Sequence, residues 1–287
     1  MSAFRPCGVV TLTTDFGLED PFVGVMKGRI VERFPAARVI DLTHAIPPQA
    51  AAEAGFWLSR SFEYFPEGTV HVAVVDPGVG TDRAIVCVAT RGHALIAPDN
   101  GLLAPVVARA ADSEISELAP STLSALGIRS VSATFHGRDI FAPVAAELAA
   151  GRLAPSDLGK RRSGLTQSPL EERGLPDGPG TPSAAQAGHS LSGRVVTIDH
   201  FGNLITDIDS SRLAPLRDPH VTIGGRVVPY RRTYGEVRQG ELVALVNSFD
   251  ALEIALAEGS AAATLGVGRG APVLVWSSPL PVERNPL

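Results

Sequence analysis

The chain has 287 residues, with 25 basic and 30 acidic side chains, a formal net charge of −5 and 45% hydrophobic residues. This length allows two domains and a sizeable core, while the weakly acidic balance disfavours a nucleic-acid-binding protein, which usually carries a basic face. No apolar run approaches the ~20 residues of a membrane-spanning helix, and the N-terminus lacks the layout of a signal peptide. A chain of this length with 2 cysteines is typical of a reducing compartment, so we expect a cytoplasmic protein.

The first strand and helix have clear sequence signals. Residues 8–17 form an apolar, β-branched run that ends in a polar turn, which predicts a buried strand. Residues 20–34 predict a helix, with Asp20 as its N-cap and Pro21 at its first helical position. Three apolar side chains then fall on one helical face: Phe22, Met26 and Ile30.

Strand-like and helix-like segments continue to alternate through the first half of the chain. Strands are predicted at "ARVIDLTH", "GTVHVAVVD" and "AIVCVAT", and a helix at "PQAAAEAGFWLSRSF". The segment "HALIAPDNGLLAPVVARAA" indicates a strand, a turn and a helix, and residues 139–151 indicate another helix closing on a glycine. This alternation predicts an α/β domain over residues 1–170, built on a mostly parallel sheet with flanking helices.

The composition then changes. Residues 152–192 are rich in proline, glycine and serine, and within them residues 171–192 are predicted to be a linker. Short β-like pieces separated by turns follow, among them "GRVVTIDHFGN", "GELVALVNSF" and "APVLVWSS". They predict a smaller β-rich, barrel-like domain over residues 193–287.

Unusual polar residues follow the predicted strands of the first domain. Asp15 ends the first strand, Asp76 directly follows the apolar "VAVV", and His136 lies before the last helix. Ligands of open α/β sheets bind beyond the carboxyl ends of the strands, which is where these residues are expected. A carboxylate such as Asp76 is costly there unless it is paired, and Arg83 is within reach because glycines let the intervening backbone bend.

Several of these residues also have a purely structural interpretation. Asp20 and Asp139 stand where helix N-caps are expected, Asp99 lies in the turn sequence "PDNG", and Asp15 could cap a turn. The histidines show no metal-ligand spacing, so no metal site is expected. The chain also lacks the phosphate-binding GxxxxGK[ST] loop and the GxSxG turn of many α/β hydrolases.

A set of motifs, in order, covers nearly the whole chain except residues 152–192: "TLTTDFGLEDPFVGVMKGRI", "DLTHAIPPQ", "VVDPGVGTDR", "APDNGLL", "TFHGRDIFAPVAAEL", "IDHFGNLITDI" and "NSFDALEIA". Together they resemble the S-adenosylmethionine hydroxide adenosyltransferases, hydrolytic relatives of the adenosylmethionine-dependent fluorinases and chlorinases. The resemblance implies hydrolysis of S-adenosyl-L-methionine to adenosine and L-methionine, with no cofactor besides this substrate. It also implies a homotrimer with active sites between the N-terminal domain of one subunit and the C-terminal domain of its neighbour.

The resemblance also implies roles for individual residues. The family's hydroxide-activating residues match Asp76, Arg83 and His136, and either Asp76 or His136 could take the proton from water. The implied substrate contacts are Asp15 to the ribose hydroxyls, Asp20 to the methionine amino group, Phe135 and Gly137 around the reacting carbon, Asp199 and Ser248 at the methionine end, and Phe201 and Asn203 around adenine. Tyr234 is a further candidate for stacking on adenine.

Two other functions stay open at this point. A halogenase would form a 5′-halo-adenosine, but the halogenases have an aromatic residue where this chain has Gln49, and they lack the acid and histidine found here at Asp76 and His136. A negative Asp76 would also repel a halide ion. A non-catalytic adenosylmethionine- or nucleoside-binding protein could use Asp15 and Asn203 equally well, although it would have no use for the three ionisable residues.

Overall fold

The computed structural model describes residues 4–110, 112–168 and 190–277, and the chain divides into two compact units, Met1–Arg173 and Gly174–Leu287. Within the described residues no helix has the length and apolar character that crossing a membrane requires. The larger part of the predicted linker, residues 171–189, lies outside the described residues.

The first unit is an α/β domain. Its elements are β1 (Val9–Thr14), α1 (Phe22–Arg33), β2 (Arg38–Thr43), α2 (Ala51–Ser61), β3 (Val70–Val74), β4 (Ile85–Thr90), β5 (His93–Pro98), α3 (Ala104–Arg109), β6 (Glu114–Glu117), α4 (Pro120–Ala125), α5 (Ala142–Ala149) and β7 (Arg161–Arg162). In the described part of this unit the strands form one sheet in the order β2-β1-β3-β5-β4-β6-β7. The predicted α/β class is therefore confirmed.

The sheet is mixed rather than mostly parallel. Strand β1 pairs in parallel with β2 and β3, and β3 pairs in parallel with β5, whereas β4 runs antiparallel to both β5 and β6. Only Arg91 and Gly92 separate β4 from β5, and both have positive φ, at 46° and 79°. Such a turn closes a hairpin, whereas a parallel connection needs a crossover of a dozen or more residues.

Helices cover both faces of this sheet. Helices α1 and α5 pack together on one face with apolar side chains such as Leu12 and Phe141, and α2 and α3 pack on the other with Phe62 and Leu95. Burial on both faces explains why β1, β3 and β5 are buried at every position and consist mostly of apolar or β-branched residues instead of alternating. The carboxyl ends of the parallel strands are left open between the helix layers.

Helix α1 differs from its prediction at its first turn. Met26 and Ile30 are buried, but Phe22 is 43% exposed. The helix begins at Phe22 with Pro21 as the N-cap residue, and no side chain caps it, so the prediction of Asp20 as the cap is wrong. The carbonyl of Pro21 accepts the first helical hydrogen bond, from the Val25 N–H, and Asp20 is exposed in the preceding turn.

The second unit is an antiparallel, nearly closed barrel. Its elements are β8 (Ser190–Ile198), β9 (Leu204–Asp209), α6 (Ser210–Leu213), β10 (Pro219–Ile223), β11 (Arg226–Pro229), β12 (Leu242–Val246), β13 (Ala251–Leu256), α7 (Ala261–Leu265) and β14 (Pro272–Ser277). The described strands run in the order β11-β10-β14-β8-β9-β13-β12. Its two ends meet where the Arg231 N–H donates to the Ala244 carbonyl at 2.8 Å. Residues 190–192, predicted as the end of the linker, belong to β8.

Candidate active site

A cavity of about 420 Å³ opens at the carboxyl ends of β1 and β3 in the first unit. It is lined by Asp15, Phe16, Phe22, Gln49, Val74, Asp76, Pro77, Val79, Thr134, Phe135, His136 and Gly137. This is the edge of an α/β sheet where ligands characteristically bind, because strand ends there present polar side chains and open backbone groups. Five residues predicted from the sequence thus line one cavity: Asp15, Asp76, Phe135, His136 and Gly137.

Asp76, Arg83 and His136 form one hydrogen-bonded cluster. Arg83 Nε lies 2.9 Å from both carboxylate oxygens of Asp76, and Arg83 Nη2 also donates to Asp76 Oδ2. The same Nη2 donates to His136 Nδ1 at 2.8 Å. The side chains of Asp76 and Arg83 are 4% and 11% exposed, so water screens this ion pair weakly.

The contact with Arg83 defines the protonation of His136. A guanidinium can only donate, so His136 Nδ1 must accept and carry no proton. The remaining proton of the neutral ring therefore resides on Nε2. Burial lowers the pKa of His136 and the Arg83 cation lowers it further, against the opposing effects of Asp76 and Asp139. The imidazole is consequently neutral at pH 7 and presents an N–H group on its other side.

The loop from residue 76 to residue 83 is shaped by glycine. Gly80 has a φ of 79°, and a Cβ placed on it would lie 2.2 Å from the carbonyl oxygen of Ala133. Only glycine allows this loop to approach the segment that precedes His136 so closely. Backbone hydrogen bonds from Val79 to Asp76 and from Thr81 to Gly78, both 3.2 Å, complete the tight path that brings Arg83 back to Asp76.

His136 lies at the start of an irregular helical turn. Residues Gly137–Phe141 form a π-helical turn that leads into α5. Pro143 explains the wide turn, because it has no N–H for an α-helical bond to the Asp139 carbonyl and its ring would clash with that oxygen. Asp139 is therefore not the N-cap that the sequence suggested. Its carboxylate accepts the Ser132 N–H at 2.8 Å and pairs with Arg138, which holds the segment carrying His136.

An aromatic group and a carboxylate line the other side of the cavity. The rings of Phe16, Phe22 and Phe135 contact one another edge to face, with centroids 5.3 to 6.0 Å apart. Asp15 Oδ2 accepts the backbone N–H of Gln49 at 2.8 Å, and Gln49 itself has a φ of 66°. Phe16 and Phe22 were not predicted to line the cavity. The only available signal was the position of Phe16 beside Asp15, since Phe22 has the spacing of a core residue.

Two predicted or considered acids lie elsewhere. Asp20 is exposed and is not among the residues that line the cavity. Asp99 contacts Arg162 Nη1 at 3.0 Å and accepts the Thr166 N–H at 2.8 Å. The following Asn100 donates to the Val75 carbonyl at 2.8 Å. Of the two interpretations left open for the "PDNG" segment, these contacts favour a hydrogen-bonded turn.

The remaining predicted residues belong to two turns of the second unit. In the first turn Asp199 Oδ1 accepts the N–H groups of Phe201 and Asn203, both at 2.9 Å, and Oδ2 accepts Asn203 Nδ2 at 3.0 Å. Asn203 is buried, whereas the ring of Phe201 is 74% exposed. Ser248 lies in the second turn, between β12 and β13.

A buried carboxylate lies beside the second turn and within electrostatic range of Asp199 in the first. Glu253 is 3% exposed, and it accepts hydrogen bonds from Tyr234 Oη at 2.6 Å and Asn247 Nδ2 at 3.1 Å. Burial raises the pKa of Glu253, and the negative charge of Asp199 adds to this, while the two hydrogen bonds oppose it. The polar residues from both turns thus lie near one another in the second unit. Tyr234, considered for adenine stacking, uses its hydroxyl in this contact.

The described residues contain no cluster of three or more histidine, cysteine or acidic side chains able to hold a metal ion. What the first unit does present is an acid, a guanidinium and a neutral imidazole, bonded in a chain beside an aromatic cavity. This arrangement can hold and polarise a water molecule or hydroxide next to a bound organic group. The fold and the site together define an enzyme that acts on a small molecule.

Comparisons with known proteins agree with this class. Residues 10–159 match the family model described as the SAM hydroxide adenosyltransferase N-terminal domain, and residues 193–274 match the corresponding C-terminal domain. The chain belongs to the SAM hydroxide adenosyltransferase family. The sequence-based resemblance to this family is thereby confirmed.

Individual relatives are similar over almost their full length. A protein of Thermus thermophilus named (R)-S-adenosyl-L-methionine hydrolase is 43% identical over 275 residues, which cover 92% of this chain and 98% of the relative. A solved structure from Thermotoga maritima, titled an uncharacterized conserved protein, has a TM-score of 0.79 and 32% identity and covers 93% of this chain and 99% of its own. A fluorinase of an Actinoplanes species is more distant, at 26% identity over 86% of this chain and 90% of its own.

Proposed function

We propose that this protein hydrolyses S-adenosyl-L-methionine to adenosine and L-methionine. The oxygen of water or hydroxide attacks C5′ of the ribose and forms the C5′–O bond, while the C5′–S bond breaks and its electron pair stays on sulfur. The sulfonium becomes the neutral thioether of methionine, and the proton of the attacking water passes to a base. Because the leaving group departs uncharged, the step requires neither a general acid nor a redox cofactor.

The Asp76–Arg83–His136 cluster is the observation that carries this proposal. A protein that only binds a nucleoside gains nothing from an acid and a histidine that both bond to one arginine beside its cavity. Hydrolysis at a sulfonium carbon, in contrast, requires an oxygen nucleophile that is held in line and separated from bulk water. The names of the relatives at higher identity support the same reaction.

The geometry supports Asp76 as the proton acceptor. His136 Nδ1 is occupied by Arg83, so Nε2 carries the proton and the ring can donate a hydrogen bond to the nucleophile but cannot accept one there. Asp76 Oδ1 accepts one hydrogen bond from Arg83 and keeps a lone pair for the proton, whereas Oδ2 accepts from both Nε and Nη2. Arg83 then stabilises the developing hydroxide by its charge, and His136 orients it.

The other predicted residues have the chemistry to hold the substrate. Asp15 is a bidentate acceptor suited to the ribose hydroxyls, and the Phe135 ring beside Gly137 is suited to enclose C5′. In the second unit we assign Asp199 and Ser248 to the methionine end, and Phe201 and Asn203 to adenine. The contact of Asp20 with the methionine amino group stays a prediction from the family resemblance. We extend to this chain the R configuration at sulfur that the names of its relatives specify.

Oxygen-18 water tests the reaction directly. The purified protein is incubated with S-adenosyl-L-methionine in labelled water, with and without chloride, and the products are analysed by mass spectrometry. Under both conditions we expect 18O-labelled adenosine and an equal amount of unlabelled methionine. From a mixture of the two sulfonium epimers of the substrate, only the R epimer should be consumed. A 5′-chloro product would indicate a halogenase, and tight binding without turnover would indicate a binding protein.

We also propose that the protein is a homotrimer whose active sites combine the first domain of one subunit with the second domain of its neighbour. Exposed apolar side chains on α1 and the edge strand β2 support a surface that is covered in an assembly: Phe22, Val25, Val31 and Ile40. Light scattering should give about 90 kDa, three times the chain mass of 30.0 kDa. Asp76→Asn subunits and Asn203→Ala subunits should each be inactive alone and should regain activity when they are refolded together, because some sites then combine two intact domains. A light-scattering mass of a monomer would refute the assembly.

A further inference from the structure

The segment that follows β2, residues 44–49, makes three hydrogen-bonding contacts with the end of β1 and the turn after it. His44 Nδ1 lies 2.8 Å from Thr14 Oγ1, the His44 carbonyl accepts the Gly17 N–H at 2.9 Å, and the Gln49 N–H donates to Asp15 Oδ2 at 2.8 Å. This turn after β1 contains Asp15 and Phe16, and both residues line the cavity. The segment lies within the motif "DLTHAIPPQ".

His44 is itself fixed from its other side. Its side chain is 1% exposed, and its Nε2 lies 3.0 Å from Asp41 Oδ1, close but poorly aligned for a hydrogen bond. Asp41 Oδ2 in turn contacts Lys27 Nζ of helix α1 at 2.6 Å. Although partial burial opposes ionisation, His44 and Lys27 lower the pKa of Asp41, so its charge is present at neutral pH.

The charge on Asp41 determines the direction of the hydrogen bond to Thr14. A carboxylate beside Nε2 favours a proton on that nitrogen, and Nδ1 is then placed to accept the Thr14 hydroxyl proton. The Thr14 oxygen then accepts the Phe16 N–H at 3.2 Å. Thr14 is fully buried, so its hydroxyl has a defined donor and a defined acceptor within the protein.

We propose that Thr14, His44 and Asp41 form a positioning network that holds Asp15 and Phe16 in the orientation needed to bind the substrate. The inference rests on the proposed function, because Asp15 is assigned there to the ribose. None of the three residues lines the cavity, so they act through the turn and not on the reacting atoms. Loss of the network should weaken substrate binding more than it slows the chemical step.

Thr14→Val tests this inference because it removes the hydroxyl while keeping the shape. Thr11→Val is the matched control: Thr11 is an equally buried residue of the same strand, with its Oγ1 2.8 Å from His71 Nδ1. We expect Thr14→Val to raise KM for S-adenosyl-L-methionine about five- to tenfold with kcat within about twofold, the effect of one hydrogen bond. Thr14→Ser should restore KM, and Thr11→Val should leave it unchanged at a similar loss of melting temperature.

Two further measurements separate this inference from the proposed function. Hydrogen exchange of the ligand-free protein should be faster in Thr14→Val at the amides of Phe16 and Gly17, and unchanged there in Thr11→Val. The effect of Thr14→Val on KM should also disappear in an Asp15→Ala background, because both changes disable the same contact. The network is refuted if Thr14→Val has the same amide exchange rates and the same KM as the wild type. It is also refuted if Thr14→Val and Thr11→Val change the exchange rates and KM equally. If the wild type makes no adenosine, the proposed function fails, and the exchange experiment still decides the inference.

Discussion

Replacing Asp76 with asparagine is the most informative perturbation of the site. Within the described residues the carboxylate accepts its hydrogen bonds from Arg83, and its side chain is 4% exposed. Asparagine keeps the shape but presents an NH₂ group where Arg83 also presents donors. The variant therefore loses the proposed proton acceptor and the partner of a buried cation together.

Both losses have an expected size. Removal of a positioned general base lowers rates by about 10²- to 10⁴-fold, or about 3–5 kcal/mol in the activation barrier. Leaving the Arg83 guanidinium unpaired in a weakly solvated position costs about 3–5 kcal/mol of folding free energy. For a domain of this size that corresponds to a melting temperature about 10 °C lower. The catalytic loss should persist well below the melting transition.

Asp99→Asn is the control for the stability loss. Asp99 is 6% exposed and pairs with Arg162 outside the cavity, so its replacement should lower the melting temperature without changing kcat. Adenosine and methionine are quantified by mass spectrometry at saturating S-adenosyl-L-methionine and 25 °C, with thermal unfolding measured in parallel. A kcat of Asp76→Asn within threefold of the wild type would remove Asp76 from the mechanism.

Three other predictions follow from particular groups. Burial and the Arg83 cation hold the pKa of His136 below the ordinary value for histidine, so kcat/KM should be constant near pH 7 and fall only in more acidic buffer, as protonation abolishes acceptance at Nδ1. A decline beginning above pH 7 would contradict this. Gly80→Ala should lower kcat and the melting temperature far more than Gly127→Ala. Both glycines have positive φ, but only at Gly80 would an added Cβ lie 2.2 Å from a backbone oxygen. Equal losses in the two variants would exclude the loop contact as the cause. His71 is buried with a pKa lowered to about 3, so folding should lose roughly 2 kcal/mol between about pH 6.5 and pH 5, because the unfolded chain binds a proton there that the folded protein does not. Urea unfolding at both pH values should show this loss in the wild type, and the loss should be smaller by about the same 2 kcal/mol in His71→Gln.

Much of the first domain could be predicted from local sequence. Local patterns that extend over a few residues predicted its strands and helices. Examples are the β-branched run of β1 and the apolar spacing of Met26 and Ile30 in α1. The link between Asp76 and Arg83 was predictable for the same reason, since the glycine-containing turn between them is short. The mixed sheet was missed because the two residues between β4 and β5 were not recognised as a hairpin turn.

The sequence by itself determined the fold class, the family and the identity of the ionisable residues, because each depends on local patterns and ordered motifs. Only the tertiary structure decided how they meet: His136 follows Arg83 by 53 residues and reaches it through a loop held by Asp139. Phe22 was predicted on the core face of α1, but its ring contacts Phe16 and Phe135 at the cavity. Contacts of this kind arise from packing helices onto both faces of a sheet, and residues distant in the chain have no local signal that records them.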